Sequence, residues 1–137
     1  MIKVENSKLC LVVSDFNSII TDSMKKAAIH CFLEKGGDNK NIKIYKVSGA
    51  FEIPNIISKN IKKFDAFIAL GCVIKGQTPH FDFISQASTN AIMDLSIQSK
   101  KPIGNGIITC LNKKQALARK KKGAEAANAV ISVLLQK

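Results

Sequence analysis

The stretch Leu9-Cys10-Leu11-Val12-Val13 decides the fold class. A strand with one face in water alternates apolar and polar residues, so five consecutive apolar side chains describe a strand covered on both faces, as in the centre of a parallel sheet. The run gives way to Ser14-Asp15-Phe16-Asn17. Thr21, Asp22 and Ser23 are good helix-capping types, and Met24, Ala27, Ala28 and Cys31 then recur at helical spacing until Gly36-Gly37 stops the helix. The unit is a strand, a turn and a helix.

The same unit repeats along the chain. Ile42, Ile44 and Val47 predict a second strand that delivers Ser48-Gly49-Ala50-Phe51-Glu52, after which Ile53, Ile56, Ile57 and Ile61 form one apolar helix stripe with Pro54 in its first turn. Phe64 to Leu70 is the third strand, its apolar run ending at Gly71. Ile84, Ala87, Ala91 and Leu95 mark a longer helix that stops before Pro102. Ile103 to Leu111 is the fourth strand, Asn112 caps a helix beginning Lys-Lys-Gln-Ala-Leu-Ala-Arg, and Ala124, Ala127, Ile131 and Leu134 mark the last helix. Strict alternation requires right-handed crossovers. It predicts a three-layer α/β/α sandwich with a four-stranded parallel sheet, flavodoxin-like, in one domain covering residues 1–137.

Composition narrows the function classes. With 46% hydrophobic and 23% charged residues and no apolar run near the roughly 20 residues of a membrane span, the chain reads as soluble, without a membrane partner. Met-Ile-Lys-Val-Glu-Asn lacks the pattern of a secretory signal, which predicts a cytoplasmic protein. Cys10, Cys31, Cys72 and Cys110 sit singly in apolar segments, so they read as buried reduced thiols, with neither a zinc site nor a disulfide framework. The net charge of +11 suits nucleic acid, an acidic membrane or anionic small substrates. Composition alone does not choose among them, but dispersed lysines, 6% aromatics and no tryptophan weaken the nucleic-acid reading.

In a parallel sheet, ligands sit beyond the carboxyl ends of the strands. Those ends carry Phe16-Asn17, Gly49 to Glu52, Gly71 to His80 and Thr109 to Asn112. Neither a dinucleotide fingerprint nor an NTP-binding loop is present, there is no nucleophile elbow, and two separated histidines make no metal cluster. What remains is His80, a proton carrier at neutral pH, next to glycines and hydroxyls where a helix begins. There Gln77 and Thr78 offer backbone amides to an anion such as phosphate, and the helix dipole favours negative charge. His30 lies in mid-helix and is assigned no role.

The segments SDFNSIITDSM, VSGAFEIP, GCVIKGQTPHFDFI, NGIITCLNKKQALAR and KKGAEAA, in this order, resemble the hallmarks of the lumazine synthase family. The likeness runs from about Leu9 to the C-terminus. It implies the condensation of 5-amino-6-(D-ribitylamino)uracil with 3,4-dihydroxy-2-butanone 4-phosphate to 6,7-dimethyl-8-ribityllumazine, the precursor of riboflavin, with release of phosphate and water. No metal or organic cofactor is implied. By motif, Phe16 stacks on the pyrimidine ring; Ala50, Phe51 and Glu52 line the pyrimidine and ribityl subsite; and Cys72, Val73 and Ile74 contact the heterocycle mainly through backbone groups. Gln77 and Thr78 hold the phosphate and His80 donates and accepts protons. Arg119 matches an arginine that reaches the phosphate and Lys122 a lysine near the ribityl chain, both supplied in the family by a neighbouring subunit of a homopentamer.

Three positions depart from the commonest family pattern. Asn105 stands where many members have phenylalanine over the ring, offering an amide to the ligand edge in place of a stacking surface. Lys75 replaces an arginine, keeping the charge and losing the bidentate fork. Between Arg119 and Lys122 the chain lacks the Gly- and Lys-containing turn of capsid-forming members, which predicts pentamers without a larger shell. Archaeal-type riboflavin synthase shares the fold, but the intact GAFEIP and His-Phe-Asp segments argue against it. A binding module without catalysis would not need His80, Thr78 and Arg119 together.

Overall fold

The computed structural model describes residues 4–136. Four strands, β1 (Leu9–Ser14), β2 (Ile42–Val47), β3 (Ala66–Ile74) and β4 (Ile103–Cys110), form one all-parallel sheet in the order β2-β1-β3-β4. The helices are α1 (Ser18–Glu34), α2 (Ile53–Lys59), α3 (His80–Ser99), α4 (Lys113–Ala118) and α5 (Lys122–Leu134). The expected α/β/α sandwich is borne out, and the continuous apolar run of β1 lies at the sheet's centre with every residue buried.

The two-residue period of a strand sorts β1 between the layers. Leu9, Leu11 and Val13 face α1 and α5, packing with Met24, Phe32, Val130 and Ile131. Cys10 and Val12 face the opposite layer with Ile53, Ile57 and Ile92. Burying each such side chain fully contributes about 1.5–3 kcal/mol before conformational entropy is subtracted. All four cysteines are free and buried. Among the described residues no helix is long and apolar enough to cross a membrane.

Two boundaries differ from expectation. Helix α1 begins at Ser18, three residues before the first predicted cap, Thr21: Asn17, in a left-handed conformation (φ 61°, ψ 50°), precedes it. Thr21 is inside the helix, and its buried hydroxyl donates to the Ser14 carbonyl at 2.8 Å, tying the helix to the end of β1. Strand β3 does not end at Gly71 but runs on to Ile74, because its ladder with β4 continues to the Ile74–Cys110 pair and the Lys75 N–H then donates to the Cys110 carbonyl. Phe64 lies before this strand, and Leu111 lies just after β4. Asn112 caps α4 as expected, accepting from the Gln115 N–H at 2.9 Å.

Candidate active site

The sheet builds an opening at its carboxyl edge. β1 pairs with β3 only as far as Val13–Leu70, whereas β3 continues four residues further with β4 alone. Meanwhile the chain leaving β1 stays with β2, since the Asp15 N–H donates to the Val47 carbonyl (2.7 Å) and the Phe16 N–H to the Ser48 carbonyl (3.1 Å). From Gly71 to Ile74, therefore, β3 has no ladder partner on its β1 side. A strand edge of this kind presents alternating donors and acceptors.

That edge lies in a cleft of about 620 Å³ lined by Phe16, Ala50, Phe51, Glu52, Cys72, Val73, Ile74, Thr78 and His80. The volume falls within the roughly 300–1,000 Å³ of small-molecule sites. Nine of the residues singled out in the sequence are thus brought together. Strand alternation shows what each offers: Cys72 belongs to the α1-side core and Val73 to the opposite core, so at Cys72 the backbone is what faces the cleft. Burial pushes the Cys72 thiol up to about 11, the Asn17 amide acting weakly the other way.

Phe16 and Phe51 are 62% and 59% exposed, so neither is a core aromatic. Such surfaces suit stacking against a planar ligand. Glu52 is fixed: its Oε1 accepts from the Ser48 hydroxyl and the Gly49 N–H, both at 3.0 Å, bracing the turn after β2. The second oxygen of the carboxylate accepts no hydrogen bond among the described residues. His80 opens α3, exposed, and its N–H donates to the Thr78 hydroxyl at 3.4 Å. Gln77 is exposed in the same turn but does not line the cleft.

Asn105, Arg119 and Lys122 are elsewhere. They line a second concavity of about 490 Å³ that shares no residue with the cleft. Arg119 donates through Nη1 to the Thr109 carbonyl at 3.1 Å, and Lys122 pairs with Glu125 at 3.7 Å. The Asn105 Oδ1 accepts from the Ile107 N–H at 3.1 Å, which leaves its amide NH₂ as the outward donor. Among the described residues no group of three or more His, Cys, Asp or Glu side chains could hold a metal ion.

Sequence reasoning passed over Ser48, Phe81 and Ile84, which also line the cleft. Ser48 and Phe81 adjoin the motifs, and Ile84 carries the signal of an ordinary core stripe; nothing local separates a helix position that walls a cleft from one that walls the core.

The chain matches the model of a family described as 6,7-dimethyl-8-ribityllumazine synthase over residues 6–137. It is similar to proteins named 6,7-dimethyl-8-ribityllumazine synthase from Campylobacter concisus (40% identical), Campylobacter jejuni (39%) and Helicobacter acinonychis (37%), each over 136 aligned residues. The alignments cover 94% of this chain and 87%, 88% and 87% of those relatives, in that order.

Proposed function

The chain belongs to the 6,7-dimethyl-8-ribityllumazine synthase family, an enzyme family, and from that premise we propose that its cleft condenses 5-amino-6-(D-ribitylamino)uracil with 3,4-dihydroxy-2-butanone 4-phosphate. The observation that carries the assignment to this cleft is the unpartnered edge of β3 facing Phe16 and His80 across one opening. A pyrimidinedione alternates carbonyls and N–H groups along its rim, the pattern that a free strand edge pairs with.

Each residue then takes a role. Phe16 stacks on the pyrimidine ring, and the backbone of Cys72, Val73 and Ile74 reads its edge. Ala50 and Phe51 wall the subsite, and the free oxygen of Glu52 accepts from ribityl hydroxyls. Gln77 and Thr78 hold the phosphate at the start of α3, where the helix dipole favours an anion. The substrate amine attacks the ketone and, after water is lost, gives an imine; phosphate leaves; tautomerisation and ring closure with loss of a second water complete the product. Each of these steps moves a proton, and His80 is the carrier.

Holding two reactive substrates in one orientation supplies several kcal/mol of the barrier, and one imidazole adds typically about 10²- to 10⁴-fold. No cofactor is required. The separation of Asn105, Arg119 and Lys122 from the cleft within one chain supports a homopentamer in which a neighbour's second concavity completes the site. The protein is read as one domain acting in the cytoplasm on small molecules, with no nucleic-acid or membrane partner.

Mixing purified protein with both substrates and following the lumazine by absorbance and fluorescence tests the reading, beside His80→Ala. Product should form faster than the spontaneous reaction, and the variant should be slow without being dead. No rate above background from folded protein overturns the assignment. A loss above about a million-fold in the variant overturns the proximity-dominated mechanism.

A further inference from the structure

We infer that Asn17 is a positioning residue for the heterocycle subsite, its left-handed backbone aiming the Phe16 ring across the cleft. Only two non-glycine residues among those described have positive φ, Asn17 and Lys100. Lys100 ends α3, an ordinary place for that conformation. Asn17 heads a helix, where the preceding residue normally has extended backbone and a capping side chain. Asn17 has neither, for its side chain makes no capping hydrogen bond.

The constraint comes from both sides. Before it, the Phe16 N–H is held by the Ser48 carbonyl; after it, the Asn17 carbonyl accepts from Ile20 (3.0 Å) and Thr21 (3.1 Å). The chain thus passes from a strand ladder to a helix across one residue, and φ 61° makes that turn. Phe16 is exposed yet lines the cleft, so nothing in the core fixes where its ring goes. Its direction is set by the backbone, and the next residue sets the backbone. The Asn17 amide nitrogen is buried beside the Cys72 thiol, whose pKa it lowers, and has no other hydrogen-bond partner among the described residues. What glycine would lose there is this one weak contact with a thiol. Asparagine and glycine tolerate this region, whereas alanine is strained there.

The inference rests on the reading of Phe16 as the stacking partner. Its test compares Asn17→Ala with Asn17→Gly in steady-state kinetics for each substrate, together with crystal structures of both variants. Asn17→Ala should raise the KM for the pyrimidine about two- to tenfold, the worth of one aromatic stacking contact. The KM for the butanone phosphate and kcat should stay put, Asn17→Gly should restore the pyrimidine KM, and the Phe16 ring should be displaced only in the alanine variant. Equal impairment in both variants, parallel shifts in both KM values, or an unmoved Phe16 ring in Asn17→Ala overturns it. Should the wild type prove inactive, the functional reading fails, while the ring position in the two crystal structures still decides this one. If Asn17→Ala does not fold, Asn17→Asp takes its place beside Asn17→Gly: both tolerate left-handed backbone, so both should keep the Phe16 ring in place, and displacement in either overturns the inference.

Discussion

Gly123, in the first turn of α5, rests directly on the Met24 carbonyl of α1, with no space between them for a Cβ. The neighbour is backbone in mid-helix and cannot swing aside. Helices α1 and α5 form one layer against the sheet, and their close approach is set here. Gly123→Ala should therefore destabilise the protein by about 1–3 kcal/mol, the usual cost of overpacking, despite alanine's better helix propensity. A lower urea midpoint at constant slope would show it; an unchanged or higher midpoint would mean that the layer can part without cost.

Burial pushes the Cys10 thiol up to about 12 from its ordinary value of 9.0, with nearby Lys43 opposing, and burial likewise raises Cys31 and Cys72. Thiolate is the reactive form. At neutral pH a thiol reagent should modify none of the four cysteines in native protein and all four after unfolding. Linkage gives the sign above pH 9: the unfolded chain loses the Cys10 proton first, so the folded state binds more protons and stability declines as pH rises from about 9 towards about 12. Stability that held level over that window in chemical denaturation would contradict a buried Cys10.

Much of this was legible in the chain because strand and helix periods are local properties. LCLVV reads as a central strand since only double-sided burial tolerates five apolar residues in a row, and β1 is buried throughout. The end of β3 was not legible. Gly71 looks like a stop, but a strand's length is decided by its ladder partner, and β4 carries it to Ile74. The same excess over β1 makes the cleft, so the site's central feature was hidden by a tertiary choice. At α1, Asn17 was masked by the better capping types at Thr21 to Ser23, since no sequence rule reveals that Thr21 spends its hydroxyl on Ser14. The division of the site residues between two concavities is likewise tertiary; nothing in the spacing of Asn105, Arg119 and Lys122 marks it.

If a neighbouring copy completes the site, assembly is a condition of activity. Helices α4 and α5 are joined only by Arg119 to Lys121, and the expectation of pentamers without a larger shell rests on that short link. Light scattering should find a particle of five chains, each of 14.9 kDa. A megadalton particle would refute the limit at pentamers, and an active monomer would refute the shared site. Dilution below the assembly threshold should abolish catalysis while leaving each chain's fold intact.

Asn105 gives the sharpest test of what the second concavity contributes. It is exposed on β4, and its Oδ1 is committed to the Ile107 N–H, so to a ligand placed there the side chain would offer only its amide NH₂, without a stacking face. Asn105→Phe exchanges that donor for a ring. Aromatic stacking is worth about 0.5–1.5 kcal/mol beyond buried area, so the pyrimidine KM should fall about two- to tenfold, with retained product slowing turnover as the ring holds it too. The protein itself should lose about 1 kcal/mol, because the Ile107 N–H gives up its side-chain acceptor. Tighter substrate binding alongside lower stability would show that this position faces the heterocycle across the interface. Lower stability with an unchanged KM would put Asn105 outside the site, leaving Arg119 and Lys122 as the neighbour's whole contribution.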